Sequence, residues 1–221
     1  MLYLVPTPIG NLGDMTFRAV EVLKAVEYIL VEDSRVTTKL LSHFGIDKKM
    51  KRFHQHNEHR MVEGLIEELE TGKDIALVSD AGTPGISDAA FLLVRACKEK
   101  DIPMTCLPGA VALIPALVCS GFPTDRFVFE GFLPHKKGRQ KKLLALKEEP
   151  RTIVFYESPH RVMKLLDEVA EHLGEDRLIS VSREISKLYE EHLQGRPAEL
   201  KAHFTAHPPK GEFVVAIAPA V

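Results

Sequence analysis

Ile75-Ala76-Leu77-Val78-Ser79-Asp80-Ala81-Gly82-Thr83-Pro84-Gly85 is the stretch on which the fold turns. Its first five residues carry no charge, as expected of a strand buried on both faces, the usual state of a parallel sheet covered by helices. The residues that follow are turn formers, so the strand ends in a loop. Upstream, Val62, Leu65, Ile66 and Leu69 recur at helical spacing and are closed by Gly72. Downstream a helix over 88–100, a strand over 103–107, Pro108-Gly109 and an apolar helix to about Ser120 are predicted. The pattern extends back to the start of the chain. A strand over Leu2–Thr7 precedes a helix capped by Thr16, with Phe17, Val20, Leu23 and Val26 on its apolar face. Tyr28–Val31 is a second apolar strand, and a helix with Leu40, Leu41 and Phe44 ends at Gly45. Strands alternating with helices of this length imply βαβ units and a mostly parallel sheet.

After Gly121-Phe122-Pro123-Thr124-Asp125, read as a linker, the pattern changes. Strands are predicted near 127–132, 152–157, 178–184, 188–193 and 213–218, with helices near 139–148, 159–173 and 197–204. The helix after Ser158 is expected to use that serine as N-cap and Pro159 as its first residue. The last strands have little between them, which favours antiparallel pairing. The expectation is an α/β protein of two domains, 1–120 and 121–221, the first sheet mostly parallel and the second mixed.

The 221 residues are 45% hydrophobic and 27% charged, which excludes low-complexity disorder. No membrane role is expected: the apolar run Ala110–Cys119 is about half the ~20 residues of a spanning helix, and Pro115 interrupts it. No signal peptide is expected either, since the first basic residue is Arg18. Twenty-nine Lys and Arg against 31 Asp and Glu leave a net charge of −2, so a nucleic-acid partner must meet a local patch. Cys97, Cys106 and Cys119 have no C-x-x-C spacing, which points to reduced thiols in the cytoplasm.

In open parallel sheets, ligands bind beyond the carboxyl ends of the strands. Four strand-end segments stand out: Pro6–Asp14, Glu32-Asp33-Ser34-Arg35, Ser79–Asp88 and Pro108-Gly109-Ala110. Glycine and proline there allow close backbone approach to a ligand. The first loop is not G-x-G-x-x-G and no G-x-x-x-x-G-K-[ST] occurs, so neither a dinucleotide fingerprint nor a P-loop is present. His54, His56 and His59 lack a thiolate or carboxylate to complete a metal set, and no metal is expected. Lys136, Lys137, Arg139, Lys141 and Lys142 put five cations into seven residues; with Lys48, Lys49, Lys51 and Arg52 they are the candidates for phosphate contact. Phe132 and Tyr156 suit either a core role or stacking on an unpaired base.

Taken in order, P-T-P-I-G-N-L-G-D at 6–14, E-D-S-R at 32–35, H-Q-H-N-E at 54–58, S-D-A-G-T-P-G-I-S-D at 79–88, G-F-L-P at 131–134, F-Y-E-S-P-H-R at 155–161 and R-E-I-S-K at 183–187 closely resemble the tetrapyrrole methylase superfamily. Within it they resemble the branch of bacterial 16S ribosomal RNA (cytidine-2′-O)-methyltransferases, over essentially the whole chain. The resemblance implies a tetrapyrrole-methylase-like fold with S-adenosylmethionine in the cleft between two domains, a homodimer, and a decoding-centre cytidine of the small ribosomal subunit as substrate. It places Pro8, Gly10, Asp80, Ala81, Gly82, Thr83, Ile86, Val111, Ala112, Tyr156 and Glu157 at the cofactor. The chain departs from the family where Ala110-Val111-Ala112 replace a common P-S-A, leaving only backbone contacts there, and where Ala89-Ala90 replace Pro-Gly. It also stops soon after Ala218, whereas many relatives carry an additional C-terminal segment, so any RNA contact made by that segment is expected to be missing.

Methyl transfer to a ribose hydroxyl needs in-line positioning, and gains from a proton acceptor and from cations near the developing alkoxide. Arg35, Arg161 and Arg183 are the candidates for phosphate or alkoxide contact. Glu32, Asp33 and Glu184 are the candidates for orientation or proton acceptance, with Lys187 nearby. A tetrapyrrole or diphthine-type methyltransferase, and a catalytically silent RNA-binding assembly protein, are the competing readings.

Overall fold

A computed structural model describes residues 1–220. They form two compact units, Met1–Val111 and the remainder from Ala112. In the first, strands β1 (Leu2–Leu4), β2 (Tyr28–Val31), β3 (Met50–Arg52), β4 (Ile75–Leu77) and β5 (Met104–Cys106) form one sheet in the order β3-β2-β4-β1-β5. Every pair in it is parallel. Alternate residues of each strand feed opposite cores. Tyr28, Leu30, Ile75 and Leu77 pack with Leu65, Leu69 and Leu93 from helices α3 (Glu58–Glu70) and α4 (Phe91–Glu99). Ile29, Val31, Ala76 and Val78 pack with Leu23 and Leu41 from helices α1 (Phe17–Ala25) and α2 (Ser34–His43). The uncharged run at 75–79 is thus explained by helices on both faces of the sheet.

In the second unit, strands β6 (Phe127–Phe132), β7 (Thr152–Glu157), β8 (Ile179–Arg183), β9 (Glu191–Gly195) and β10 (Phe213–Ile217) run in the order β6-β7-β10-β8-β9. β6 and β7 are parallel; the other three pairs are antiparallel. One face packs on Leu143 of α6 (Arg139–Ala145), Leu165 and Val169 of α7 (Val162–His172), and Leu200 and Phe204 of α8 (Pro197–Ala206). Helix α5 (Leu113–Cys119) contacts β7, β8 and β10, so it goes with this unit and the division falls nine residues before position 120.

Several local expectations are corrected. Thr16 does cap α1 by accepting from the Ala19 amide, and Leu23 and Val26 are buried as expected, but Phe17 is 92% exposed and Ala19 is buried in its place. The basic run itself supplies strand β3, Met50–Arg52, for which no strand was expected. Helix α4 starts three residues later than 88, where buried Glu58 accepts from the Leu92 amide. Ser158-Pro159-His160 form a turn, and α7 begins only at Val162.

Candidate functional site

β4, β1 and β5 are neighbours in a parallel sheet, so the loops leaving their carboxyl ends emerge side by side. Hydrogen bonds weld these loops together. Thr7 and Gly82 exchange amide–carbonyl bonds of 2.9 and 3.0 Å. The Thr7 hydroxyl donates to the Ser79 carbonyl at 3.1 Å, and that of Ser79 to the Gly82 carbonyl at 3.0 Å. The Thr83 hydroxyl donates to the Ala110 carbonyl at 2.9 Å. Gly109 lies so close to Pro6 that a Cβ there would sit 2.5 Å from the proline Cβ. Pro8, Gly10, Asp80, Ala81, Gly82, Thr83 and Ile86, with Val111 at the end of the third loop, are therefore brought to one rim of the first unit. Ala112 stands at the start of α5.

A carboxylate cluster lines this rim. Asp80 Oδ1 accepts from the Asp33 amide at 3.0 Å, joining the ends of β2 and β4. Burial, and then the charge of Asp80, push the Glu32 carboxyl up. Burial, then Glu32 and Asp80, push Asp88 up to about 7. Asp88 closes the S-D-A-G-T-P-G-I-S-D motif; of its charge neighbours Asp80 belongs to the same loop, and only Glu32, at the end of β2, is brought in by the fold. Asp33 behaves oppositely: hydrogen bonds from the Arg35 side chain, then from its amide, hold it down at about 2. The Arg35 fork closes on Asp33 with contacts of 3.0 and 2.5 Å, yet the side chain remains 84% exposed.

In the second unit the cations are mostly occupied. Arg139, expected on an RNA-facing loop, is buried; it pairs with Glu168 at 2.7 Å and with buried Glu157 at 3.3 Å. Glu157 in turn holds Arg161 at 2.8 Å and accepts from the Ser158 amide. Its carboxylate is committed to these partners. Arg161 also reaches the Leu133 carbonyl at 3.2 Å. Lys142 pairs with Glu130 at 2.6 Å; of the first unit's basic run, Lys48 donates to the Val26 carbonyl and Lys51 lies between Glu68 and the Tyr28 ring. Lys136, Lys137 and Lys141 stay exposed. Arg183 faces Glu191 at 3.3 Å, and Glu184 is held by Lys187 and the Glu212 amide, both at 2.9 Å. Asn57 binds the His54 amide and the Arg52 carbonyl, so it builds the turn before α3. Among the described residues no trio of His, Cys, Asp or Glu is arranged to hold a metal ion. No helix among them is long and apolar enough to cross a membrane.

A rim of clamped glycine–proline loops beyond a parallel sheet defines a ligand-binding α/β protein. Residues 1–201 match the family model described as Tetrapyrrole (Corrin/Porphyrin) Methylases, and the chain belongs to that family, whose members are methyltransferases. It is 51% identical over 219 residues to "Ribosomal RNA small subunit methyltransferase I" of Synechocystis, covering 99% of this chain and 78% of that protein. It is 52% identical over 190 residues to the protein of the same name from Escherichia coli O157:H7, covering 86% and 66%. Solved structures share the fold at low identity. Diphthine synthase matches with a TM-score of 0.77 at 15% identity, covering 98% of this chain and 89% of that one. Uroporphyrin-III-C-methyltransferase from Thermus thermophilus matches at 0.67 and 18%, covering 97% and 93%.

Proposed function

We propose that the chain is an S-adenosylmethionine-dependent methyltransferase that modifies a ribose 2′-hydroxyl of a decoding-centre cytidine in 16S ribosomal RNA. The observation that carries this reading is the 51% identity, along nearly the entire chain, to a protein named for methylating small-subunit ribosomal RNA. The loop rim supports the choice of donor. Backbone groups of Pro8, Thr83 and Val111 suit an adenosine and methionine skeleton, while Asp80, Glu32 and Asp88 suit its cationic and hydroxyl groups. That donor supplies an electrophilic methyl carbon on sulfur.

In this reading the chain contributes orientation and proton handling. Glu32 and Asp88 titrate closer to neutrality than ordinary carboxylates and are the proton acceptors of choice for a hydroxyl nucleophile. Arg35, displayed by its fork to Asp33, meets a phosphate. Arg161, Arg183 and Glu184, tied to neighbours, position the second unit. Exposed Lys136, Lys137 and Lys141 add electrostatic attraction for RNA. The protein acts on the small subunit in the cytoplasm as a homodimer. The test is to incubate small subunits from cells lacking the protein with the purified chain and labelled donor, then map 2′-O-methylation. A new mark at one cytidine is expected; donor binding without any ribosomal RNA methylation would refute the reading.

A further inference from the structure

Strand β6 contains one residue too many. Phe127, Val128 and Phe129 pair with Thr152, Ile153 and Val154, but Gly131 and Phe132 then pair with Phe155 and Tyr156, leaving Glu130 unmatched. In an unbroken strand, residues three apart face opposite sides of the sheet. The extra residue cancels that alternation. Phe129 and Phe132 therefore both reach the Tyr156 ring, with centroids 5.0 and 5.6 Å away. Gly131 takes the kink at φ +60°, a conformation that a Cβ would strain. Phe155 and Leu133, on the other face, are in the core.

The consequence is a large ring aimed at solvent: Phe132 is 52% exposed. At that exposure the ring forgoes about half of the roughly 1.5–3 kcal/mol that full burial would contribute, so the bulge gains nothing from this side chain's packing. The surroundings are specific. Tyr156 supports the ring from the neighbouring strand, and the Arg161 guanidinium carbon lies 6.0 Å from its centroid. Arg161 is oriented by buried Glu157, Ser158 Oγ and the Leu133 carbonyl. Exposed Lys136 and Lys137 follow a few residues along the chain.

An exposed aromatic face flanked by an oriented guanidinium and exposed lysines matches the chemistry of unpaired nucleic acid, whose bases stack while the phosphates seek positive charge. We propose that Phe132 is the stacking face for an unpaired nucleobase of the RNA substrate, held in place by the Gly131 bulge and flanked by Arg161. The proposal rests on the ribosomal RNA reading above and names how that substrate is gripped.

The experiment compares wild type with Phe132→Ala, Phe132→Leu and Phe132→Trp. Because the side chain is half exposed, all four proteins should fold, and equal affinity for S-adenosylmethionine checks this. kcat/KM for methylation of small subunits should fall about tenfold or more in the Ala and Leu variants and be retained by Trp, the scale of one lost base–aromatic stack. Binding of a short single-stranded pyrimidine RNA should exceed that of an abasic strand of equal charge for wild type, and the two should be equal for Phe132→Ala. A Leu variant as active as wild type, unchanged discrimination by the Ala variant, or a change of oligomeric mass on Phe132→Ala would each overturn the proposal. Wild type that never methylates ribosomal RNA would refute the functional reading instead, while the abasic comparison would still decide the stacking.

Discussion

The two units handle charge in opposite ways. At the rim of the first, Glu32, Asp80 and Asp88 are crowded together, and two of them are pushed towards neutrality by burial and by one another. In the second, Arg139, Glu157, Arg161 and Glu168 alternate in sign, and each charge faces an opposite one. A like-charge cluster is destabilising unless something else binds there, and perturbed carboxylates concentrate at functional sites for that reason. A compensated chain of ion pairs instead fixes geometry, and here it sets the loop that precedes α6. The first unit thus keeps a crowded carboxylate cluster at its rim, and the second holds its own charges still in pairs of opposite sign.

The contrast can be broken by mutation, and the largest effect is expected at Asp80. Replacing it by Arg puts a cation into the rim, and calorimetry should detect no S-adenosylmethionine binding while circular dichroism stays native; unchanged affinity would remove the Ser79–Asp88 loop from the site. Arg139→Ala should come next. It strips the buried Glu157 carboxylate of one partner and should lower stability by about 3–5 kcal/mol in urea unfolding. A loss below ~1 kcal/mol would show that the pair contributes little. Gly109→Ala drives a Cβ into the Pro6 ring and should cost about 1–3 kcal/mol, with weaker donor binding. A variant indistinguishable from wild type would mean that the two loops are free to separate.

The smallest effect sharpens the comparison through pH. Asp88 is raised from 3.8 to about 7 in the folded chain, so between those values the unfolded state holds fewer protons than the native one. Stability should therefore fall as pH rises from about 4 to 7. Asp88→Asn should flatten that decline and leave stability near pH 4 almost unchanged; an unaltered pH profile would show that Asp88 is not the group responsible. The corresponding substitution of Asp33, already held low by Arg35, should not raise stability at neutral pH.

The regular elements were largely legible because their signals are local. An uncharged run at 75–79, a threonine at 16 and glycines at 45 and 72 report on residues within a few positions of themselves. Errors arose where a residue's environment is decided from afar. Phe17 fits the helical stripe of α1, yet at the first position after the cap it is exposed. Arg139 reads as one of five loop cations until Glu157 from β7 and Glu168 from α7 close on it. The Gly131 bulge leaves no trace in hydrophobic alternation over so short a strand, so the face taken by Phe132 was open.

The order and character of the strands, the glycine–proline loops at their ends and the family these loops belong to were all determined by the amino-acid sequence alone, since backbone preference and burial pattern act over neighbouring residues. Which charges pair, which carboxylates crowd, and which aromatic ring meets water were decided only by the tertiary structure. Those outcomes depend on groups separated by tens of residues, brought within a few ångströms by the pairing of strands.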